Sequence, residues 1–346
     1  MARKRRPTME DVAKKAGVSR TTVSFVLNGI PNANIPAATR QRVLQAAREL
    51  DYIPNVQALN LAKGRTMLIA LVLRQTPEQM SADAFLGEVV RGSTHMLEVQ
   101  GYHLLVHAAR PGAPFRSTYG QLVRTRKVDG LIIASPLIND PEVEVLHEEG
   151  TPIVLHGAPY TADIASVDVD NIQGAYTAVR HLIDLGHRRI GHISNAPLSY
   201  TSSRDRLAGY RQALAEAGIA FDPALVHEGA FTDGSSVEPM HRLLDLAEPP
   251  TAVFIGSDVV ALGALDAIHS RGLRIPDDIS VIGFDDVALG RYLRPKLTTV
   301  RLPAYDLGRK ASEMILSIIN GDPLDTVQVR LPTQLVVRDS TAPYVL

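Results

Sequence analysis

TMEDVAKKAGVSRTTVSFVLN, residues 8–28, reads as two short helices joined by a tight turn. Thr8 is placed to N-cap the first, with Asp11 three residues on completing a weak capping box. Val12, Ala13 and Ala16 fall on one stripe of that helix. Gly17 ends it and permits a sharp turn. Ser19 caps the second helix, and Val18 and Val23 occupy the two positions of a hydrophobic staple. Val23, Val26 and Leu27 then face inward, while Arg20, Thr21, Ser24 and Asn28 share the opposite face at helical spacing. A short helix with small polar and basic residues outward suits the major groove of DNA, which admits a helix and presents hydrogen-bonding base edges.

By spacing alone the pair fits a helical hairpin inside a larger core equally well. Two features outside it tip the balance. A third helix is expected from Thr39 to Leu50, with Val43, Leu44, Ala46, Ala47 and Leu50 as its apolar stripe. Basic charge is also concentrated here: residues 1–65 hold 12 Lys and Arg against 4 Asp and Glu, a net of +8, while the rest holds 24 against 33, a net of −9. A near-neutral protein divided into a basic head and an acidic body points to a head that binds nucleic acid.

The run Thr8-Met9-Glu10-Asp11-Val12-Ala13, through Ala16-Gly17-Val18-Ser19 and Thr22-Val23-Ser24 to Val26-Leu27-Asn28, resembles the headpiece of the lactose-repressor/galactose-repressor (LacI/GalR) family. Thr39-Arg40, Tyr52-Ile53-Pro54-Asn55 and Ala58…Leu61-Ala62 continue the likeness, and later segments extend it over nearly the whole chain. The resemblance implies a DNA contact set of Thr8, Ser19, Arg20, Thr21, Thr22, Ser24, Phe25, Asn28, Tyr52, Ala58 and Leu61. Phe25 departs from the polar residue of several relatives; it shares a face with Thr21, where it touches a thymine methyl or simply covers the helix.

The length of 346 residues suits one small and one large domain, or three compact lobes. There is no cysteine, hence neither a disulfide framework nor a thiolate site. No apolar run approaches the roughly 20 residues of a membrane-spanning helix, and no apolar signal core follows the basic tip Arg3 to Arg6. The expectation is a cytoplasmic protein that does not engage membranes. The tip itself reads equally as a phosphate-grazing arm or a solvated terminus.

The expected domains are a helix-turn-helix headpiece over 1–54, a hinge over 55–65 and an effector-binding and dimerisation domain over 66–346. Asn55 to Gly64 contains good helix formers but is too short to be stable alone, since isolated helices below about 12 residues are marginal in water. The resemblance implies a hinge helix that folds when two copies pair on DNA, with Leu61 wedged into the central base step and Ala58 permitting close approach. From Met67 onward nearly continuous apolar strands alternate with helices, the signature of parallel sheets covered on both faces. The fold class is α/β: an all-α headpiece and a periplasmic-binding-protein-like body of two doubly wound lobes. Lobe 1 is expected at about 67–167 plus 298–326, and lobe 2 at about 168–296 plus 328–343.

A pocket is expected where the carboxyl ends of the strands of both lobes open toward each other. Polar residues just after strands nominate Arg74, His156, Ser257, Asp258 and Asp285. The resemblance adds Phe85, at a helix start where relatives carry an aromatic, and Arg206, in a segment whose arginine grips effector hydroxyls or carboxylate. An arginine fork and carboxylates bracket vicinal hydroxyls, and an aromatic ring covers the apolar face of a sugar. Asp258 reads slightly better as a helix N-cap than as a ligand contact. His156 and Ser257 stand where relatives often carry Asp and Asn.

His181, His187 and His192 fall on a helix, a turn and a strand without tetrahedral ligand spacing, so structural roles are expected and no metal or cofactor. No phosphate-binding loop, nucleophile elbow or supported pair of catalytic carboxylates appears, which argues against an enzyme. The expectation is a ligand-controlled transcriptional regulator, a repressor of carbohydrate-metabolism genes. It binds a pseudo-palindromic double-stranded operator as a homodimer; no leucine heptad after Tyr344 calls for a tetramer. The alternative is a solute-binding receptor for sugar transport, which leaves the basic head unexplained.

Overall fold

A computed structural model describes residues 7–28, 34–53, 64–108, 120–159 and 161–344. The chain divides into two units, Met1–Thr66 and Met67–Leu346.

The first unit carries α1 (Met9–Ala16), α2 (Arg20–Leu27) and α3 (Ala37–Glu49). The capping box closes in both directions: Thr8 Oγ1 accepts from Asp11 N–H at 3.3 Å, and Asp11 Oδ2 accepts from Thr8 N–H at 2.8 Å. Gly17 takes the left-handed conformation, φ 65°, that lets the chain reverse after α1. Ser19 Oγ accepts from Thr22 N–H at 3.1 Å and starts α2. The core is Val12, Ala13, Ala16, Val23, Val26, Val43, Ala46 and Ala47, and a Lys15–Glu49 ion pair of 2.8 Å ties α1 to α3. Leu44, expected in the stripe, is 38% exposed. At about 100° per residue, positions 43, 46, 47 and 50 cluster within one sector and 44 falls outside it.

The second unit begins with β1 (Leu68–Leu73), α4 (Pro77–Ala82), α5 (Ala84–Val99), β2 (His103–Ala108), α6 (Gly120–Arg124), β3 (Gly130–Ala134), α7 (Pro141–Glu148), β4 (Ile153–His156) and β5 (Ser166–Val169). It continues with α8 (Asn171–Asp184), β6 (Ile190–Ile193), α9 (Thr201–Glu216), β7 (Val226–His227), α10 (Val237–Leu244), β8 (Ala252–Ile255), α11 (Asp258–Ser270) and β9 (Ser280–Ile282). Last come β10 (Thr299–Arg301), α12 (Ala304–Asn320), β11 (Gln328–Leu331) and β12 (Gln334–Val336).

The first lobe is built on a parallel sheet in the order β11-β5-β4-β3-β1-β2, the second on a parallel sheet β7-β6-β8-β9. β1 and β3 are buried on both faces, which is why they read as unbroken apolar runs. Helices α5 and α12 cross closely where Gly92 and Gly308 stand; a Cβ on Gly308 would lie 2.1 Å from the Val89 carbonyl oxygen.

Three strands depart from the sequence expectation. β5 has no counterpart in it: Ser-Val-Asp-Val is too short for its alternation to stand out from the loop around it. β11, expected in the second lobe, pairs in parallel with β5, Val329 opposite Val167, and so completes the first lobe's sheet. β10, expected in the first lobe, pairs with β12 and is bridged beside β9 through Ile282 and Thr298. Half-buried alternating strands such as β11 carry no sign of which sheet edge they join. The chain thus crosses between lobes at β5 to α8, at β10 to α12 and at β11 to β12.

Candidate effector cleft and nucleic-acid interface

In the headpiece, α2 turns Arg20, whose side chain is 69% exposed, and Thr21 outward, with Phe25 36% exposed on the same side. Ser24 and Asn28 follow one turn apart, the Asn28 amide donating to Ser24 Oγ at 3.1 Å. Thr8, Ser19 and Thr22 have capping or pairing duties: Thr8 in the box, Ser19 as the cap, and the Thr22 hydroxyl 2.9 Å from that of Ser19. Tyr52 packs half-buried against the headpiece core. Ala58 and Leu61 lie outside the described residues.

In the body, a cleft of about 670 Å³, open to solvent, lies at the carboxyl ends of both sheets. Its centre is Arg206 on α9, 6% exposed. Arg206 Nε donates to Asn171 Oδ1 at 2.9 Å, and Nη1 donates to the Gly256 carbonyl and lies 3.7 Å from Asp285 Oδ1. The guanidinium plane rests 3.9 Å over the Phe284 ring. Asn171 in turn donates to both carboxylate oxygens of Asp168 at 3.1 Å. One buried cation is therefore held by fixed partners between two carboxylates, Asp168 on β5 and Asp285 in the loop that follows β9.

Burial pushes the carboxyls of Asp285 and Asp168 up to about 7 each; the charge of Arg206 opposes the rise in both. Burial also lowers the Arg206 pKa, against the pull of Asp285 and Asp168. The first lobe supplies Asp83, whose Oδ1 caps α5 by accepting from Phe85 N–H at 3.1 Å and Leu86 N–H at 3.2 Å, and whose Oδ2 accepts from Gln75 at 2.9 Å. Phe85 stacks with His156, ring centroids 6.0 Å apart and planes 26° from parallel. Burial pushes His156 down to about 4, so it is a neutral ring with one donor and one acceptor.

Of the predicted cleft residues, Phe85, His156, Arg206, Ser257 and Asp285 line this one space. Arg74 and Asp258 do not. Arg74 forms an ion pair with Asp140, whose side chain is 2% exposed. Asp258 is not the N-cap that its position favours: Ser257 caps α11, accepting from Val259 N–H at 3.3 Å, and Asp258 is its first helical residue. Its buried carboxylate accepts from Val287 N–H at 2.9 Å and Thr299 Oγ1 at 2.6 Å. Asp168, Asn171 and Phe231 also line the cleft, and sequence reasoning misses all three. Asp168 and Asn171 follow from β5, once that strand is known; Phe231 sits in a loop with φ 63° and has no pattern to reveal it.

Backbone hydrogen bonds join the lobes beside the cleft: Ile138 N–H to Ser199 carbonyl at 2.9 Å and Thr201 N–H to Pro136 carbonyl at 3.2 Å, an antiparallel bridge of Leu137 with Tyr200. Gln79 adds a bond to the Ala230 carbonyl at 3.0 Å. His192 is enclosed in the second lobe between the Tyr210 and Phe254 rings, and among the described residues no group of three or more metal-ligating side chains gathers.

Residues 8–55 match the lacI family of bacterial regulatory proteins, and residues 179–341 match a periplasmic binding protein-like domain. The HTH-type transcriptional regulator CelR of Thermobifida fusca is 37% identical over 343 residues, covering 98% of this chain and 100% of that protein. The chain belongs to the LacI family. The HTH-type transcriptional repressor CytR of Escherichia coli K12 is 35% identical over 335 residues, covering 96% of each chain. Among solved structures, a CelR–cellobiose complex superposes with a TM-score of 0.75 at 36% identity over 97% of this chain and 100% of that one. A Lac repressor dimer bound to operator and the anti-inducer ONPF superposes with a TM-score of 0.84 at 30% identity, covering 98% and 100%.

This LacI-family member is a DNA-binding transcriptional regulator and not an enzyme. The match of the basic head to the family's DNA-binding segment removes the transport-receptor alternative. No helix among the described residues is long and apolar enough to cross a membrane.

Proposed function

We propose that this regulator is a homodimeric, carbohydrate-responsive repressor that acts in the cytoplasm on a pseudo-palindromic operator. The observation that carries the effector class is Arg206, a buried cationic fork between Asp285 and Asp168, faced by the Phe85–His156 stack. Such a set donates to and accepts from vicinal hydroxyls and covers one apolar ring face. The cellobiose held by the CelR relative supports the same chemistry.

On DNA, Arg20 and Thr21 read base edges, Arg20 as a bidentate partner of guanine. Ser24, Phe25 and Asn28 complete the face, while Thr8, Ser19, Thr22 and Tyr52 hold it against phosphates. Ala58 and Leu61 act at the operator centre, Leu61 as a minor-groove wedge. Effector binding changes the angle between the lobes and, through the dimer, the spacing of the hinge segments. It shifts operator affinity only by its difference in affinity for the two states.

The test is a thermal-shift and calorimetric panel of mono- and disaccharides, cellobiose first, with nucleosides as the contrasting class, repeated with promoter DNA. A sugar that raises the melting midpoint and changes operator affinity supports the reading. A panel in which only nucleosides act would overturn the carbohydrate class.

A further inference from the structure

Asp285 and Asp286 are neighbours with different duties. Both have positive φ, 116° and 57°; the second is the left-handed region that Asp tolerates, while the first lies beyond it and persists only where the surroundings impose it. Asp285 lines the cleft. The Asp286 carboxylate, 1% exposed, accepts from Arg301 Nε at 2.7 Å, from Arg338 Nη2 and from Arg291 Nη2 at 3.4 Å. Burial opposes its charge, but the bonds from Arg338 and Arg301 prevail and hold its pKa below the ordinary value.

The two closer arginines come from the lobe crossings. Arg301 ends β10, which runs on into α12 of the first lobe, and Arg338 follows β12, which returns from β11 of the first sheet. The corner is stitched to the same crossing by backbone: Asp285 N–H donates to Val300 carbonyl at 2.8 Å, and Leu302 N–H donates to Asp285 carbonyl at 3.3 Å. On its other flank Asp258 joins Val287 N–H to the Thr299 hydroxyl.

We propose that Asp286, gripped by Arg301 and Arg338, is a positioning clamp that aims Asp285 into the cleft and ties effector contact to two of the three lobe crossings. This rests on the reading that Asp285 touches the effector. The clamp holds the corner in its strained conformation without itself touching ligand. Because its arginines lie on the crossings, a change of lobe angle and a change at Asp285 are one event.

The test uses the full-length protein with Asp286→Asn, Arg301→Gln and Arg301→Lys. Arg301 is half-exposed, so its variants carry the test if Asp286→Asn does not fold. The readouts are amide hydrogen exchange over residues 283–302, sugar-free operator affinity, and calorimetric affinity for cellobiose or the panel sugar that stabilises the wild type best. The expected result is faster exchange at the Asp285 and Leu302 amides and roughly tenfold weaker sugar binding, the lower end of the loss seen when a partner that orients a metal-ligating side chain is removed. Operator affinity without sugar stays unchanged, β1 and β3 keep their protection, and Arg301→Lys recovers part of the loss. Unchanged exchange at the corner, or faster exchange with normal sugar affinity, overturns the clamp, as does a rise spread equally over β1 and β3. If the wild type binds no sugar of the panel, the carbohydrate reading fails by itself, and corner exchange alone decides the clamp.

Discussion

The Arg206 guanidinium lies 3.7 Å from the Asp285 carboxylate, and the two side chains are 7% and 9% exposed. That separation is wider than a direct hydrogen bond. The arginine's short bonds go instead to Asn171 and the Gly256 carbonyl. Asp285 therefore keeps acceptor capacity facing the cleft while Arg206 keeps its orientation without a ligand. A hydroxyl placed between them gains an acceptor on one side and a donor on the other, and neither protein group has to be rearranged.

Asp285→Asn should leave sugar-free operator binding intact and abolish most of the effector response. Above pH 7, where Asp285 is ionised, the amide keeps shape but loses one acceptor and the negative charge, so a loss of roughly 1.5–3 kcal/mol is expected, the usual worth of a hydrogen bond to a charged group. Titration calorimetry and an operator shift assay with the sugar that binds wild type check this; a normal response would take Asp285 out of the site.

Arg206→Ala should act on stability as well as on binding. It strands Asp168 and Asp285 without their cation, and removing one partner of a buried pair costs roughly 3–5 kcal/mol. Arg206→Lys keeps the charge but not the planar fork that reaches Asn171 and Gly256 together. The expected order of melting midpoints is wild type, then Lys, then Ala, with sugar binding lost in both variants. A lysine variant that binds sugar normally would show that the fork is dispensable.

Opposed pH slopes should appear in the body. Asp285 and Asp168 titrate near 7 in the folded chain, against an ordinary value near 3.8. Between these limits the folded state holds more protons, so their contribution is complete at low pH and is lost as pH rises toward 7. His156 and His192 titrate near 4 when folded against 6.5 when free. There the unfolded state holds more protons, so their contribution is present above 6.5 and lost as pH falls to 4. Relative to wild type, Asp285→Asn should gain stability as pH rises from 4 to 7, and His156→Gln should gain as pH falls from 6.5 to 4. Denaturant midpoints at half-unit intervals measure both; parallel curves for wild type and variant would remove the corresponding titration.

Gly308→Ala should destabilise the first lobe. Its Cβ would stand 2.1 Å from the Val89 carbonyl and 2.9 Å from the Ser93 hydroxyl, and Ser93 already donates to the Gly308 carbonyl at 3.1 Å. The α5–α12 crossing must widen, at a cost of roughly 1–3 kcal/mol or more. Gly321→Ala is a useful contrast: open space surrounds it, but φ 76° penalises any side chain. A Gly308→Ala midpoint equal to wild type would mean that the two helices separate freely.

Where periodicity and capping decide the architecture, the amino-acid sequence carries it openly. Headpiece caps at Thr8 and Ser19, the Gly17 turn and the buried strands β1 and β3 all follow from local residue chemistry. The cleft is half legible. His156, Ser257 and Asp285 sit at element boundaries that the pattern marks, and Phe85 and Arg206 rest on family resemblance. Asp168 and Asn171 escape because β5 is only four residues long and its partner β11 is remote in sequence. The cap of α11 falls one residue earlier than expected because Ser257 and Asp258 are both good caps, and only the positions of Val287 and Thr299 decide between them. The place of Arg74 after β1 points it at the cleft, but the buried Asp140 holds it elsewhere. Such outcomes depend on contacts that neither period nor propensity encodes.

Arg20→Ala tests the reading head independently of the sensor. Arg20 belongs to the first turn of α2, its side chain is 69% exposed, and its nearest carboxylate, Glu10, is 3.9 Å away with both groups in solvent, so little folding energy rests on it. The melting transition should not move. If Arg20 reads a guanine, the variant loses roughly 1–3 kcal/mol on the cognate operator and almost nothing on an operator changed at that one base pair, so its preference at that position flattens. If it only neutralises a phosphate, affinity falls by the same factor on every sequence and the slope of log affinity against log salt drops by about one. Binding titrations on a set of singly substituted operators at two salt concentrations separate these outcomes, and a uniform loss would remove Arg20 from the base-reading set.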